Sequence, residues 1–340
     1  MEFRTIGRSG VRVNPLALGT MVLGPWGNTD VDACRRIVNR ALDAGVNLVD
    51  TADMYGDGAT EEVIGPAVAA RRDEVVLATK FHHPVGDDTD PNRRGNSRRW
   101  IMTAVEDSLR RLGTDYIDLY QVHRPDPDTA ISETVEALSD LVRAGKIRAW
   151  GTSTFPAHEI VEAHWAAQLS GAIGPHCEQP PYSIMCRGVE QDVLGICASY
   201  GMGVITWSPL SGGWLTGKYT RAEPAPPGSR GATNPDHFDG GNQAKFDAVE
   251  RLVPIAAAAG VSVMHMALAW VLEHPAVTAA IIGPRTEEQL DELLALGDLR
   301  LDDDTLDAID AVVPPGVTIN RADTDWSPPA LAASARRRPR

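Results

Sequence analysis

The sequence predicts a single (β/α)8 TIM barrel. Three observations predict it: eight short apolar or β-branched runs recur along the chain, a segment of helical spacing follows each, and no glycine-rich dinucleotide loop follows the first. The runs are PLALGT (15–20), VNLVD (46–50), EVVLATK (74–80), YIDLYQVH (116–123), IRAWGTS (147–153), PHCEQ (175–179), GVITWS (203–208) and AAIIG (279–283). Between the first two, VDACRRIVNRALDAG places Val31, Cys34, Ile37, Val38 and Leu42 on one helical face, with Gly45 as a stop. TEEVIGPAVAA, RWIMTAVEDSLRRLG, SETVEALSDLVRAGK, HEIVEAHWAAQLSG, VEQDVLGICASYG, the pair AVERLVPIAAAAG and MHMALAWVLEH, and EEQLDELLAL have comparable spacing. An open doubly wound sheet also alternates strand and helix, but it is expected to carry Gly-x-Gly-x-x-Gly after its first strand. Neither LGTMVLG nor GDGATEE matches that pattern.

Length and composition agree with this. The chain has 340 residues, 43% hydrophobic and 23% charged, enough for a large core in one barrel domain over 1–315. Residues 3–13 read as a hairpin, FRTIG and VRV about the turn RSG, that closes one barrel mouth. Residues 210–243, after the seventh strand, are too rich in Gly and Pro for regular structure, and a loop of that length is usually functional. The segment 301–313 reads as a final helix with acidic residues at its N-terminal end, and 316–340 as a flexible, basic-ended tail. The net charge of -14 argues against a nucleic-acid partner, although local arginines can still bind a phosphorylated small ligand. Cys34, Cys177, Cys186 and Cys197 form no Cys-x-x-Cys pair and read as thiols in a reducing cytoplasm. The N-terminus lacks a signal peptide's apolar core, and no run approaches the roughly 18 apolar residues of a membrane helix. A cytoplasmic protein with no membrane partner is expected. Its oligomeric state is left open.

In such barrels the active site lies where strands end. The second strand ends in Asp50, the third in Lys80 and the fourth in His123, and Tyr55 in DTADMYG can fold back over the same mouth. A lone Asp or Lys at a strand end is more often a surface ion pair; their joint placement points to chemistry. A free tyrosine, with a pKa of about 10, is a poor acid near neutrality. An adjacent Lys80 ammonium is expected to lower that pKa, and Asp50 to keep Lys80 charged. His123 can orient a substrate oxygen by hydrogen bonding. Tyr55 then protonates a carbonyl oxygen while hydride arrives at carbon, a general acid contribution of roughly 10²–10⁴-fold.

VNLVDTADMYGDG, VVLATK, YIDLYQVHRPDP, IRAWGTST, EQPPYS, TWSPLSGGWLTGKY and IIGPRTEEQL together make the sequence resemble the aldo-keto reductases over nearly the whole barrel. TWSPLSGGWLTGKY and PPGSR fit best the branch of potassium-channel β subunits and their bacterial relatives. The resemblance implies a catalytic tetrad of Asp50, Tyr55, Lys80 and His123 and an NADPH extended across the strand ends. It implies contacts from Gly19, Thr20, Met21 and Asp50 near the first strand ends. Ser153 and Gln179 would hold the carboxamide, with Thr154 adjacent, and Trp207 would stack on the nicotinamide. Ser208, Pro209, Leu210, Gly212 and Lys218 would follow the pyrophosphate, and Arg230, Gly283, Arg285, Gln289 and Glu292 would embrace the adenosine half. Two positions depart from the family's pattern: Thr154 stands where Asn or Arg is common, and Leu293 where Asn would meet the adenine.

The small-molecule carbonyl substrate is placed near Trp26, Met54, His82 and Arg124. Trp26 and Met54 either wall an apolar pocket or pack loops. His82, His83, Asp87 and Asp88 lack ligand spacing, and no metal site is expected. Two other functions compete: a Schiff-base aldolase using Lys80, which a paired Asp50 opposes, and a redox-sensing regulatory subunit of slow turnover. Neither substrate nor physiological direction follows from fold resemblance.

Overall fold

The computed structural model describes residues 2–87, 89–221, 223–233, 242–332 and 335. All eight predicted runs become strands. A hairpin of β1 (Arg4–Thr5) and β2 (Arg12–Val13) precedes them. β3 (Leu16–Gly19), β4 (Leu48–Asp50), β5 (Val76–Phe81), β6 (Ile117–Val122), β7 (Ile147–Ser153), β8 (Cys177–Gln179), β9 (Gly203–Thr206) and β10 (Val277–Ile282) then close into a parallel barrel in the order β10-β3-β4-β5-β6-β7-β8-β9. The hairpin seals the N-terminal mouth: Ile6 and Val13 join the interior cluster, and Arg4 donates to the Val277 and Leu272 carbonyls at 2.8 and 3.0 Å.

Strand residues alternate between the barrel interior and the helical shell. Ala17, Leu48, Ala78, Leu119, Ala149, Cys177, Ile205 and Ala279 form the interior cluster, and small and large side chains alternate from β3 to β7. The same inward row, two residues further along, reads Gly19, Asp50, Lys80, Gln121, Gly151, Gln179, Trp207 and Ile281. A layer of apolar residues therefore gives way to a polar layer at the C-terminal mouth. Gly151 makes room in that wall, since a Cβ there would lie 2.4 Å from Cys177 Sγ.

The helices pack their apolar stripes on the outer faces of the strands. Val31–Asp43 is started by Asp30, whose carboxylate accepts from Asp32 N and Ala33 N, and it buries Cys34, Ile37, Val38, Ala41 and Leu42. Val31, expected on that face, is exposed; at the first helical position it lies beyond the strands, and Ala41 completes the stripe. Val193–Tyr200 is shorter than its periodic segment because a 3-10 turn takes up Gly188–Gln191. The long segment after β9 is more regular than its composition suggests, with a 3-10 turn at Ser211–Thr216 and a helical turn at Arg230–Thr233; residues 234–241 lie outside the described ones.

The final helix forms at Asp303–Val312, capped by Asp302. Beyond it, residues 316–326 are tied to the barrel, where a flexible tail was expected. Ile319 N donates to Met185 O at 3.0 Å, Asn320 Nδ2 to Asn242 Oδ1 at 2.8 Å, and buried Lys245 pairs with Asp323 at 2.6 Å. The physical reason is that this stretch meets complementary polar groups around the barrel mouth, which its Pro/Ala/Arg-rich continuation hides from a compositional reading. No single helix among the described residues is long and apolar enough to cross a membrane.

Candidate active site

The polar layer is built around Lys80. Its Nζ lies 2.6 Å from Asp50 Oδ1, 2.7 Å from Thr51 O and 3.3 Å from Tyr55 OH, and both charged side chains are almost wholly buried. The other Asp50 oxygen accepts from Gln179 Nε2 at 2.8 Å and Gln121 Nε2 at 3.3 Å, so four strands converge on one carboxylate. Burial alone would lower the Lys80 pKa; Asp50 and then Tyr55 outweigh it and hold the pKa above its usual value. Lys80 is therefore an ammonium at neutral pH, as the pairing with Asp50 requires.

Tyr55 reaches this layer from the turn after β4. Gly56 follows it at φ 55° and packs so closely on Pro25 that a Cβ would sit 2.7 Å from Pro25 Cδ. Beneath the turn, the buried Glu61 accepts from Thr79 Oγ1 at 2.6 Å and Arg111 Nε at 2.7 Å, fixing the start of helix Ala59–Val68. The expected lowering of the Tyr55 pKa is corrected here. Burial raises it; Lys80 pulls it down but does not win, and the phenol pKa lies above its ordinary value. At neutral pH Tyr55 is a neutral O–H donor with a cation beside its oxygen.

His123 follows β6 and packs edge-on to Tyr55, ring centroids 6.1 Å apart. Burial first, then the charges of Lys80 and Arg124, hold its pKa well below the usual imidazole value. It is neutral, and its buried Nδ1 has no hydrogen-bond partner among the described residues. His83 stacks edge-on against His123 at 5.1 Å and His82 against His83 at 4.9 Å, with the His83 pKa lowered to about 4 by burial first, then by His82 and Arg124. His82 Nδ1 lies 2.9 Å from Asn96 Oδ1. Arg124 donates to His123 O at 2.6 Å and pairs with Asp325 of the C-terminal segment. Trp26, 47% exposed, lies 5.9 Å from the Tyr55 ring, with Met54 half-buried beside it. The structure thus gathers Trp26, Met54, His82 and Arg124 around Tyr55 and His123. Among the described residues no three potential ligands converge on a metal position, and Asp88 lies outside them.

The remaining expected contacts lie along the same rim. Thr20 N and Oγ1 both donate to Asp50 O at 3.0 Å, fixing the chain between Gly19 and Met21 beside β4. Ser153 Oγ donates to Gln179 O at 2.9 Å, and Trp207 Nε1 donates to Thr154 Oγ1 at 3.3 Å. Thr154 adopts φ 59°, a left-handed conformation that Asn tolerates and a β-branched residue resists. Ser208 (φ 57°), Ser211 (φ 49°) and Gly212 (φ 66°) turn the chain sharply after β9, past Pro209 and Leu210. Arg285 Nη1 donates to Gly228 O at 2.7 Å and its N–H to Gln289 Oε1 at 2.9 Å, bringing Arg230 close. The Arg230 residue is exposed overall, yet protein around its guanidinium, followed by the charge of Arg285, lowers its pKa. Gly283 is open, a Cβ there meeting nothing, and Glu292 lends its carbonyl to His265. Leu293 is buried in the hydrophobic core, which accounts for an apolar residue at that position.

Sequence reasoning missed Gln121, Glu178 and Asn96 as parts of this region. Gln121 was accessible, since it shares the inward period with Leu119 and His123; Asn96 carries no local signal.

Residues 15–314 match the model of the aldo/keto reductase family. The chain belongs to the aldo/keto reductase family. It is similar to a probable voltage-gated potassium channel subunit beta of Oryza sativa subsp. japonica, 37% identical over 92% of this chain and 97% of the relative. It is also similar to two Bacillus subtilis (strain 168) proteins: the uncharacterized oxidoreductase YrpG, 39% identical over 92% and 96%, and the aldo-keto reductase YhdN, 36% identical over 86% and 88%. The chain is accordingly an NAD(P)H-dependent oxidoreductase with the aldo/keto reductase barrel.

The rim residues fit a dinucleotide. Among the described residues, Lys218, Arg230 and Arg285 have no carboxylate partner, although the chain carries a net charge of -14. The buried Ser211 Oγ likewise lacks a partner there. Cations with no described carboxylate partner, and an unpaired hydroxyl on the same loop as Lys218, suit a phosphate-bearing ligand.

One buried acid behind this rim makes stability depend on pH. Glu178 is fully buried, and burial pushes its pKa up to about 7 against an ordinary 4.5. The unfolded chain thus loses this proton first, and the stability present below about pH 4.5 is lost as pH rises through about 7. Relative to Glu178→Gln, the wild type should lose about 3 kcal/mol across that window. Urea denaturation of both proteins at pH 5 and pH 8 measures it; parallel pH dependence in the two would contradict the assignment.

Proposed function

We propose that this protein reduces an aldehyde or ketone to an alcohol with NADPH, Tyr55 giving the proton to the carbonyl oxygen. The single observation that carries the reading is the hydrogen-bonded chain Tyr55–Lys80–Asp50 at the barrel mouth, with neutral His123 beside it. The reduced nicotinamide, when bound, supplies the hydride. Ser153 and Gln179 would hold its carboxamide, Trp207 its ring, the stretch from Ser208 to Lys218 its pyrophosphate, and Arg230 with Arg285 its adenosine phosphate. Gly283, Gln289 and Glu292 border the adenosine end.

The electrostatics support this division of labour. Tyr55 is protonated at rest, and the Lys80 ammonium 3.3 Å from its oxygen stabilises the negative charge that develops as the proton leaves. Asp50 keeps Lys80 charged inside the barrel. The neutral His123 offers one N–H to the substrate oxygen without competing as an acid. Trp26 and Met54 supply apolar wall, and His82 with Arg124 a polar one, for a small carbonyl compound. A Schiff-base role for Lys80 is disfavoured because the ion pair removes its nucleophilic free base. The similarity to a probable voltage-gated potassium channel subunit beta of rice motivates a second reading, a regulatory subunit of slow turnover that senses redox state; fast single-turnover NADPH oxidation with negligible steady-state turnover would favour it.

Two outcomes are expected. Tyr55→Phe removes the proton donor without touching the rim, so carbonyl reduction should fall by roughly 10²-fold or more while NADPH binding stays near wild type. Near-wild-type turnover on a good substrate would end the assignment. Arg285→Ala should weaken NADPH by roughly tenfold or more, about 1.5–3 kcal/mol, and leave NADH almost unchanged. Tryptophan-fluorescence titration of both cofactors measures this; equal losses, or tighter NADH binding by the wild type, would contradict it.

A further inference from the structure

We propose that Glu178 is a positioning residue, a buried strut that holds the Ser153–Thr154 turn in the shape needed to seat the nicotinamide end of the cofactor. The inference rests on the cofactor reading given above. Glu178 lies on β8 between two inward residues, Cys177 and Gln179, so its side chain projects outward between the ends of β7 and β8. No part of it is exposed. Its Oε2 accepts from Thr152 Oγ1 at 2.5 Å and its Oε1 from Phe155 N at 3.1 Å. Those two partners bracket Ser153 and Thr154.

The bracketed turn needs an external hold. Thr154 is β-branched at φ 59°, a strained conformation that persists only where its surroundings impose it. Ser153 Oγ and Thr154 N both reach Gln179 O, at 2.9 and 3.1 Å, so a turn that relaxes would also shift the residue after Glu178. Thr154 Oγ1 in turn accepts from Trp207 Nε1 at 3.3 Å, carrying the constraint to the next strand end. One buried carboxyl group thus connects three residues, Ser153, Gln179 and Trp207, that border the same end of the proposed cofactor. Glu178 itself touches none of the proposed ligand's positions, since the strand separates it from the barrel mouth. Its protonated form keeps both contacts: the carbonyl oxygen still accepts from Phe155, and the hydroxyl donates to the rotatable Thr152 Oγ1. A glutamine has the same pair of functions, one acceptor and one donor.

The test separates the two ends of the cofactor. NADPH and adenosine 2′,5′-bisphosphate, which lacks the nicotinamide, are titrated into the wild type, Glu178→Leu, Glu178→Gln and Thr152→Val by calorimetry. Glu178→Leu should weaken NADPH by about tenfold, the loss of a buried hydrogen-bonded hold on the turn, and leave the bisphosphate unchanged. Thr152→Val, which removes one donor and spares the packing, should do the same to a smaller extent, and it serves if the leucine variant fails to fold. Glu178→Gln should recover most of the affinity. The inference is overturned if the folded variants bind NADPH as the wild type does, if both ligands weaken together, or if glutamine is no better than leucine. Failure of the wild type to bind NADPH at all would instead overturn the cofactor reading.

Discussion

Asp50 and Lys80 face each other at 2.6 Å inside the barrel, and the arrangement of the mouth follows from what that pair demands. Neither charge would be stable there alone, because an ion moved out of water into a protein interior loses several kcal/mol that only close, fully hydrogen-bonded partners return. Asp50 therefore draws Gln121 and Gln179 to its second oxygen, and Lys80 draws Thr51 O and Tyr55 OH to its remaining protons. The polar layer is satisfied as a unit. Each strand contributing to it had to present its polar residue at the same height, directly above the apolar ring of Leu48, Ala78, Leu119 and Cys177.

The same low-dielectric setting fixes the protonation states around the pair. Burial keeps Tyr55 protonated despite its cationic neighbour, and it keeps His123 and His83 neutral. The mouth is thus a set of neutral donors organised about one internally compensated charge pair. Outside it lie Lys218, Arg230 and Arg285, cations that have no carboxylate partner among the described residues. In the function proposed above, an anionic dinucleotide and a neutral carbonyl lie side by side, and a neutral interior beside a cationic rim suits both.

Much of this was legible in the sequence. The eight strands could be found because an interior that excludes water imposes short apolar runs, and the four chemical residues could be placed because strand ends are where a barrel exposes polar groups. What stayed hidden depends on contacts between distant segments. The sign of the Tyr55 shift is a balance between burial and one cation, and proximity to Lys80 alone points the wrong way. Glu178 reads as half of a Glu-Gln pair until the partners bracketing Thr154 are seen. The stretch 316–326 looks like the start of a disordered end, yet Asp323 and Asp325 find Lys245 and Arg124 across the mouth. Gln121 obeys the period-two rule, since it alternates inward with Leu119, but it stands beside the more conspicuous His123.

The most direct measurement of the central claim is a double-mutant cycle on Asp50 and Lys80, read as folding stability by urea denaturation at neutral pH. If the pair is the interaction on which the mouth is built, Asp50→Asn and Lys80→Met should each cost about 3–5 kcal/mol by stranding a buried charge. The double variant should then cost far less than the sum of the two. Losses that simply add would contradict the account, because they would mean that the two residues do not depend on each other inside the barrel.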